Sequence, residues 1–127
     1  MFKNAKVFSS FSVNDINKAR NFYNGKLGLD VSDAPDMKGL LYLNIEGGSK
    51  IMVYEKPDHT PATYTVLNFP VKDVVKTVDD LTKLSVHFEQ YDGELKTDKK
   101  GIFRGGGMAI AWFKDPSGNI ISVIQDK

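Results

Sequence analysis

The sequence predicts an α+β protein made of two tandem β-α-β-β-β modules, and an internal repeat carries that prediction. Residues 7–16, VFSSFSVNDI, line up with residues 65–74, TVLNFPVKDV, at an offset of 58. Phe11 matches Phe69, Val13 matches Val71, Asp15 matches Asp73 and Ile16 matches Val74. A second echo pairs 41–53, LYLNIEGGSKIMV, with 111–123, AWFKDPSGNIISV, at an offset of 70, a strand, tight turn and strand each time. The same order of elements in both halves is the mark of a duplicated unit. One domain over 1–127 is expected, with modules at about 5–57 and 63–126.

Each element has a local reason. Residues 7–13 alternate, with Val7, Phe11 and Val13 on one face and Phe8, Ser10 and Ser12 on the other, a strand with one covered face. Asn14 or Asp15 then caps a helix, because a short side-chain oxygen accepts from free first-turn N–H groups. Ile16, Ala19, Phe22, Tyr23 and Leu27 follow at helical spacing, and Gly25 and Gly28 lie near the end. A short strand over 28–33 runs into the turn cluster Asp-Ala-Pro-Asp. Strands near 39–45 and 50–56 are joined by Gly47-Gly48, a hairpin signal.

The second half repeats this order. Strand 64–71 sets Thr65, Leu67, Phe69 and Val71 toward a helix and Tyr64, Val66 and Asn68 away from it. Helix 73–84 carries Val74, Val78 and Leu81 on one face, capped by Asp73. Strands are expected near 86–91, 107–113 and 119–124, the last two flanking Asp115-Pro116-Ser117-Gly118-Asn119. The growth of the offset puts twelve extra residues around 92–106, read as a mobile loop. A helix on one face of each sheet leaves the other face concave, so the two modules are expected to form a cup.

Composition narrows the function classes. A chain of 127 residues, 41% apolar and 26% charged, is long enough for one core or two small modules. A net charge of +1 sets up no general field toward nucleic acid or an anionic membrane. The absence of Cys excludes disulfides, thiolate nucleophiles and thiolate metal sites together. MFKNAKVF lacks the apolar stretch of a secretory leader, and no apolar run approaches the roughly 20 residues of a membrane span. The expectation is a cytoplasmic protein with neither nucleic-acid nor membrane partners.

The doubled order of elements, the V-x-D at the first helix (Val13, Asp15), Phe22-Tyr23, the K-L-G-L of 26–29 and the closing F-x-D-P-x-G-N-x-I of 113–121 resemble the vicinal oxygen chelate superfamily. That group, with its glyoxalase/bleomycin-resistance fold, includes glyoxalase I, extradiol dioxygenases, fosfomycin-resistance transferases, methylmalonyl-CoA epimerase and bleomycin-binding resistance proteins. The resemblance implies a homodimer, with cups made within one chain or across two. It also implies metal ligands on the first and last strands of each module. By the motifs, those positions fall at Phe8, Met52, Val66 and Ser122. A phenyl, a thioether, an isopropyl and a hydroxyl do not make a divalent-metal site, which needs three or more imidazole or carboxylate ligands. No metal and no cofactor are therefore expected. Glyoxalase, dioxygenase and fosfomycin-transferase chemistry, which rest on the metal, are not expected either.

The same alternation says what lines the cup instead. Tyr42 and Trp112 are repeat mates and face inward, with Tyr54, Ile110, Ile120 and Tyr64 beside them. Ser10, Ser12, Asn68 and Ser122 are the few polar groups. An apolar, aromatic-lined cavity with sparse hydrogen-bonding groups is a usual small-molecule site. The competing reading packs Phe8, Met52, Val66 and Trp112 into a filled core, in which the serines and Asn68 would need buried partners. His59 and His87 read as surface or boundary histidines. Gly105-Gly106-Gly107 precedes a strand and lacks the P-loop lysine, so it reads as a hinge rather than a phosphate cradle. Arg104 is the loop cation placed to meet an anionic ligand, whereas Lys96, Lys99 and Lys100 read as solvated.

The candidate ligand-binding set is thus Phe8, Ser10, Tyr42, Met52, Tyr54, Val66, Asn68, Arg104, Trp112 and Ser122. The leading expectation is metal-independent sequestration of a small hydrophobic or aromatic molecule, with no catalytic residue. One alternative is a glyoxalase-like lyase or isomerase with a relocated site. Another is an interaction or regulatory module whose cup is closed.

Overall fold

Asp15 and Asp73, matched by the repeat, begin the only two α-helices among the described residues, 1–126 of a computed structural model. The Asp15 carboxylate accepts from the N–H groups of Asn17 and Lys18, and that of Asp73 from Lys76 N–H at 3.0 Å. Both caps hold extended backbone dihedrals, which turn a strand into a helix within two residues. The chain divides into two units, Met1–Thr60 and a second that starts at Pro61.

In the first unit, β1 (Ser9–Val13) leads into α1 (Ile16–Arg20), which widens into a π-helical turn over Asn21–Lys26. Strands β2 (Asp30–Asp33), β3 (Leu40–Asn44) and β4 (Lys50–Glu55) follow. The sheet order is β1-β4-β3-β2, with β1 parallel to β4 and the other pairs antiparallel. The parallel pair needs a crossover, and the helix supplies part of it. Val13, Leu41, Leu43 and Val53 are fully buried on the helix side with Ile16, Ala19, Phe22 and Tyr23. The Tyr23 ring meets Phe11 edge-on at 5.9 Å and Phe22 at 5.2 Å. The first strand starts at Ser9 rather than 7, leaving Val7 and Phe8 exposed before it.

The second unit repeats the plan with β5 (Thr65–Pro70), α2 (Val74–Lys83), β6 (Ile102–Gly105), β7 (Met108–Lys114) and β8 (Ile120–Asp126). Its order is β5-β8-β7-β6, again with the first strand parallel to the last. Val74 and Val78 of α2 are buried, as are Ile102, Ala111, Phe113, Ile121 and Val123 on the facing sheet. The protein is thus an α+β fold of two β-α-β-β-β units.

Three expectations are corrected in this unit. Residues 86–91 are not a strand: Phe88 makes one isolated bridge to Phe113, and the chain then loops back so that Tyr91 and Thr97 hydrogen-bond each other. The edge position beside β7 is taken instead by β6, inside the stretch read as a mobile loop. Gly106-Gly107, read as a hinge, is the two-residue turn between the paired Gly105 and Met108. Its φ values of 60° and 80° are both positive, which favours glycine at both positions in a tight hairpin turn.

Candidate functional site

The site is built at one end of the second sheet. Trp112 on β7 pairs with Ser122 on β8, which pairs with Asn68 on β5, so the three stand in one row. Phe113, Ile121 and Val123 alternate with them and are buried on the helix side, so the row faces the other way. Ser122 is fully buried and donates its hydroxyl hydrogen bond to Asn68 Oδ1. Trp112 keeps 9% of its surface accessible. Tyr91 meets the indole edge-on at 5.6 Å and Phe103 lies tilted at 6.3 Å.

Beside this row opens a groove of about 960 Å³, lined entirely by residues of the second unit. The sheet contributes Thr65, Trp112, Lys114 and Ile120. One rim is the segment 61–64, Pro-Ala-Thr-Tyr, in which Tyr64 is 69% exposed. The other is formed by Glu89, Tyr91, Asp92, Glu94 and Leu95. Each rim has a local cause. A Cβ at Gly118 (φ +86°) would lie 3.2 Å from Pro61, so this glycine lets the first rim seat against the β7–β8 turn. That turn is locked by Asp115, whose Oδ1 accepts from Ser117 and Asn119 N–H and whose Oδ2 accepts from the Asn119 side chain. The second rim is anchored where Glu89 N–H donates to the Trp112 carbonyl at 2.8 Å.

The ionisable groups of the groove are unevenly placed. Lys114 Nζ lies 3.3 Å from Glu89 Oε1. Burial first, and then the Glu89 charge, raise the Tyr91 phenol above its ordinary value, against a smaller opposing pull from Lys114. The 61–64 rim has no charge.

The other residues singled out from sequence stand as follows. Ser10, Met52 and Tyr42 form one registered row across the first sheet, with Ser12 and Tyr54 paired in the row two residues on. The Lys50 ammonium lies 5.2 Å from the centre of the Tyr42 ring. Ser12 Oγ and His59 Nδ1 share a hydrogen bond of 2.6 Å, a link across 47 residues that gives His59 a place on this face rather than the free surface. Phe8 is 54% exposed and lies outside any strand. Val66 is the extra residue of a β-bulge: Thr65 pairs with Ile120 and Leu67 with Ile121, so the pairing skips Val66. The bulge puts Thr65, expected on the helix side, opposite Ile120 on the groove lining. Arg104 lies within β6 opposite Ala109, on the same side as buried Ile102, and pairs with Asp98 at 2.9 Å. It is a strand residue and does not line the groove.

Phe8, Met52, Val66 and Ser122 offer a divalent ion no imidazole or carboxylate, and the one hydroxyl is already directed at Asn68. Among the described residues no group of three or more His, Asp or Glu is placed to hold a metal. These four side chains do not make a divalent-metal site.

A family model described as Glyoxalase/Bleomycin resistance protein/Dioxygenase superfamily matches residues 8–123. The chain belongs to this superfamily. A comparison with curated proteins gives no match. Among solved structures, an antibiotic binding protein, TnmS3, from Streptomyces sp. CB03234 is similar at a TM-score of 0.70 and 23% identity, over 98% of each chain. A genomically encoded fosfomycin resistance protein, FosX, from Listeria monocytogenes is similar at 0.71 and 15% identity, over 98% of this chain and 94% of that one. A glyoxalase/dioxygenase from Nostoc punctiforme gives 0.69 and 16%, over 99% and 94%. At these identities the superfamily's fold is shared, and function is decided by the site. No helix among the described residues is long and apolar enough to cross a membrane.

Proposed function

We propose that this superfamily member binds a small planar organic molecule in the groove beside Trp112 and holds it without changing a bond. The carrying observation is a groove of about 960 Å³ in which a nearly buried indole is braced by Tyr91 and Phe103. Aromatic groups braced on their edges present their remaining surface to a flat ligand at little ordering cost. Ile120 and Leu95 add apolar contact beside the indole, and the charged side chains stand on the 89–95 rim and at Lys114. Two structural neighbours, an antibiotic binding protein and a fosfomycin resistance protein, support a small-molecule role in general terms. The absence of imidazole and carboxylate from Phe8, Met52, Val66 and Ser122 supports metal-independent binding. Sequestration in the cytoplasm by a homodimer completes the proposal, and the exposed Phe2, Val7 and Phe8 are the apolar surface that supports self-association.

Trp112 is the one tryptophan in the chain, so it reports on its own groove. Titration with a panel of planar heteroaromatic compounds is expected to change its fluorescence and raise the thermal midpoint together. An unchanged indole signal and midpoint across the panel would remove the proposal's basis.

A further inference from the structure

We infer that the occupant of this groove is a planar aromatic cation, oriented with its charge toward the 89–95 rim. The inference rests on the binding role proposed above and adds the ligand's chemical class and direction. The groove is lined by three carboxylates, Glu89, Asp92 and Glu94, and one ammonium, Lys114, a formal balance of −2. Lys114 is committed to Glu89. Asp92 and Glu94 have no ion-pair partner among the described residues. The chain as a whole carries +1, so the negative charge belongs to the groove and not to a general acidic surface. All three carboxylates lie on the same rim, while Pro61, Ala62, Thr63 and Tyr64 opposite are uncharged. A neutral flat molecule leaves the carboxylates unused, an anion is repelled by them, and a cation gains both them and the aromatic lining that Trp112 and Tyr91 provide.

Three tricyclic probes of similar shape separate these cases: proflavine as the cation, acridone as the neutral form and anthracene-2-sulfonate as the anion. Titrations of the full chain are followed by Trp112 emission and by calorimetry. Proflavine is expected to bind about tenfold tighter than acridone, with the sulfonate weakest, and to weaken between about 50 and about 500 mM salt. In the double variant Asp92→Asn, Glu94→Gln, proflavine is expected to lose about tenfold while acridone binds as before. Acridone binding serves as the check that the variant is folded. Equal affinity for the three probes, or a double variant that holds proflavine as well as the parent, overturns the charge assignment and leaves the groove reading standing. Failure of all three to bind overturns both.

Discussion

Trp112 combines two demands on one side chain, anchoring its end of the sheet and lining an open groove. With 9% of its surface exposed, it is held by Tyr91 and Phe103 and is still accessible from the groove. Trp112→Ala is expected to cost about 3–5 kcal/mol, measured by urea unfolding, because it removes a nearly buried ring and leaves a void. Trp112→Phe should cost far less and still weaken ligand binding. Tyr91 gives a second prediction at this scale. Its phenol titrates above the ordinary value of 10.0, so the folded state keeps the proton where the unfolded chain has lost it. That contribution to stability is full below pH 10 and is lost as pH rises through the folded value. Absorbance titration near 295 nm should show a late-titrating phenol component that shrinks in Tyr91→Phe, and the variant should lose less stability at alkaline pH than the parent. Trp112 was legible in the sequence through its repeat mate Tyr42. Tyr91 was not, because alternation over 86–91 mimics a strand and gives no sign that the chain curls back at Thr97.

Elements are tied together by contacts that no local pattern reveals. Ile16 N–H, at the start of α1, donates to Glu55 Oε2 at 2.9 Å, and Val74 N–H, at the start of α2, donates to Gln125 Oε1 at 2.8 Å. Glu55 and Gln125 are themselves repeat mates at an offset of 70, so each unit fastens its helix start to the end of its last strand in the same way. A carboxylate serves in one unit and an amide in the other, which means that the acceptor oxygen matters more than the charge. Glu55→Ala is therefore expected to lose about 1 kcal/mol of stability and Glu55→Gln almost none, by denaturant midpoint. The hairpin β6–β7 teaches a related lesson. Gly106-Gly107 is the same signal that correctly placed the β3–β4 turn at Gly47-Gly48, but the charged run before it, KTDKKG, hid a four-residue strand. Asp98 organises that run by accepting from Lys100 and Ile102 N–H and pairing with Arg104. The bulge at Val66 was equally hidden, since an extra residue leaves the period-two pattern on either side intact.

At the scale of the whole molecule, the duplication explains the fold, and its one large departure explains the groove. From the last residue of the helical segment to the next strand the first unit needs only residues 27–29, whereas the second runs through residues 84–101 before β6 begins. That longer connection carries Glu89, Tyr91, Asp92, Glu94 and Leu95, so the rim exists in the second unit and has no counterpart in the first. The repeat made both β-α-β-β-β units legible, and the change of offset marked where they differ. What the inserted residues contact depends on long-range packing, which periodicity does not record. The same history bears on metal chemistry. The four residues that the resemblance implies at ligand positions, Phe8, Met52, Val66 and Ser122, carry no imidazole or carboxylate, and among the described residues the groove's carboxylates do not gather into a metal-binding group. A divalent ion held by isolated exposed carboxylates exchanges freely with water and does not survive desalting. Incubation with nickel, zinc, manganese and ferrous iron, then desalting and elemental analysis, is expected to leave well below one ion per chain. Planar-ligand binding should be the same before and after treatment with a chelator. One tightly held ion per chain, or binding abolished by the chelator, would mean that a metal site forms from residues other than these four.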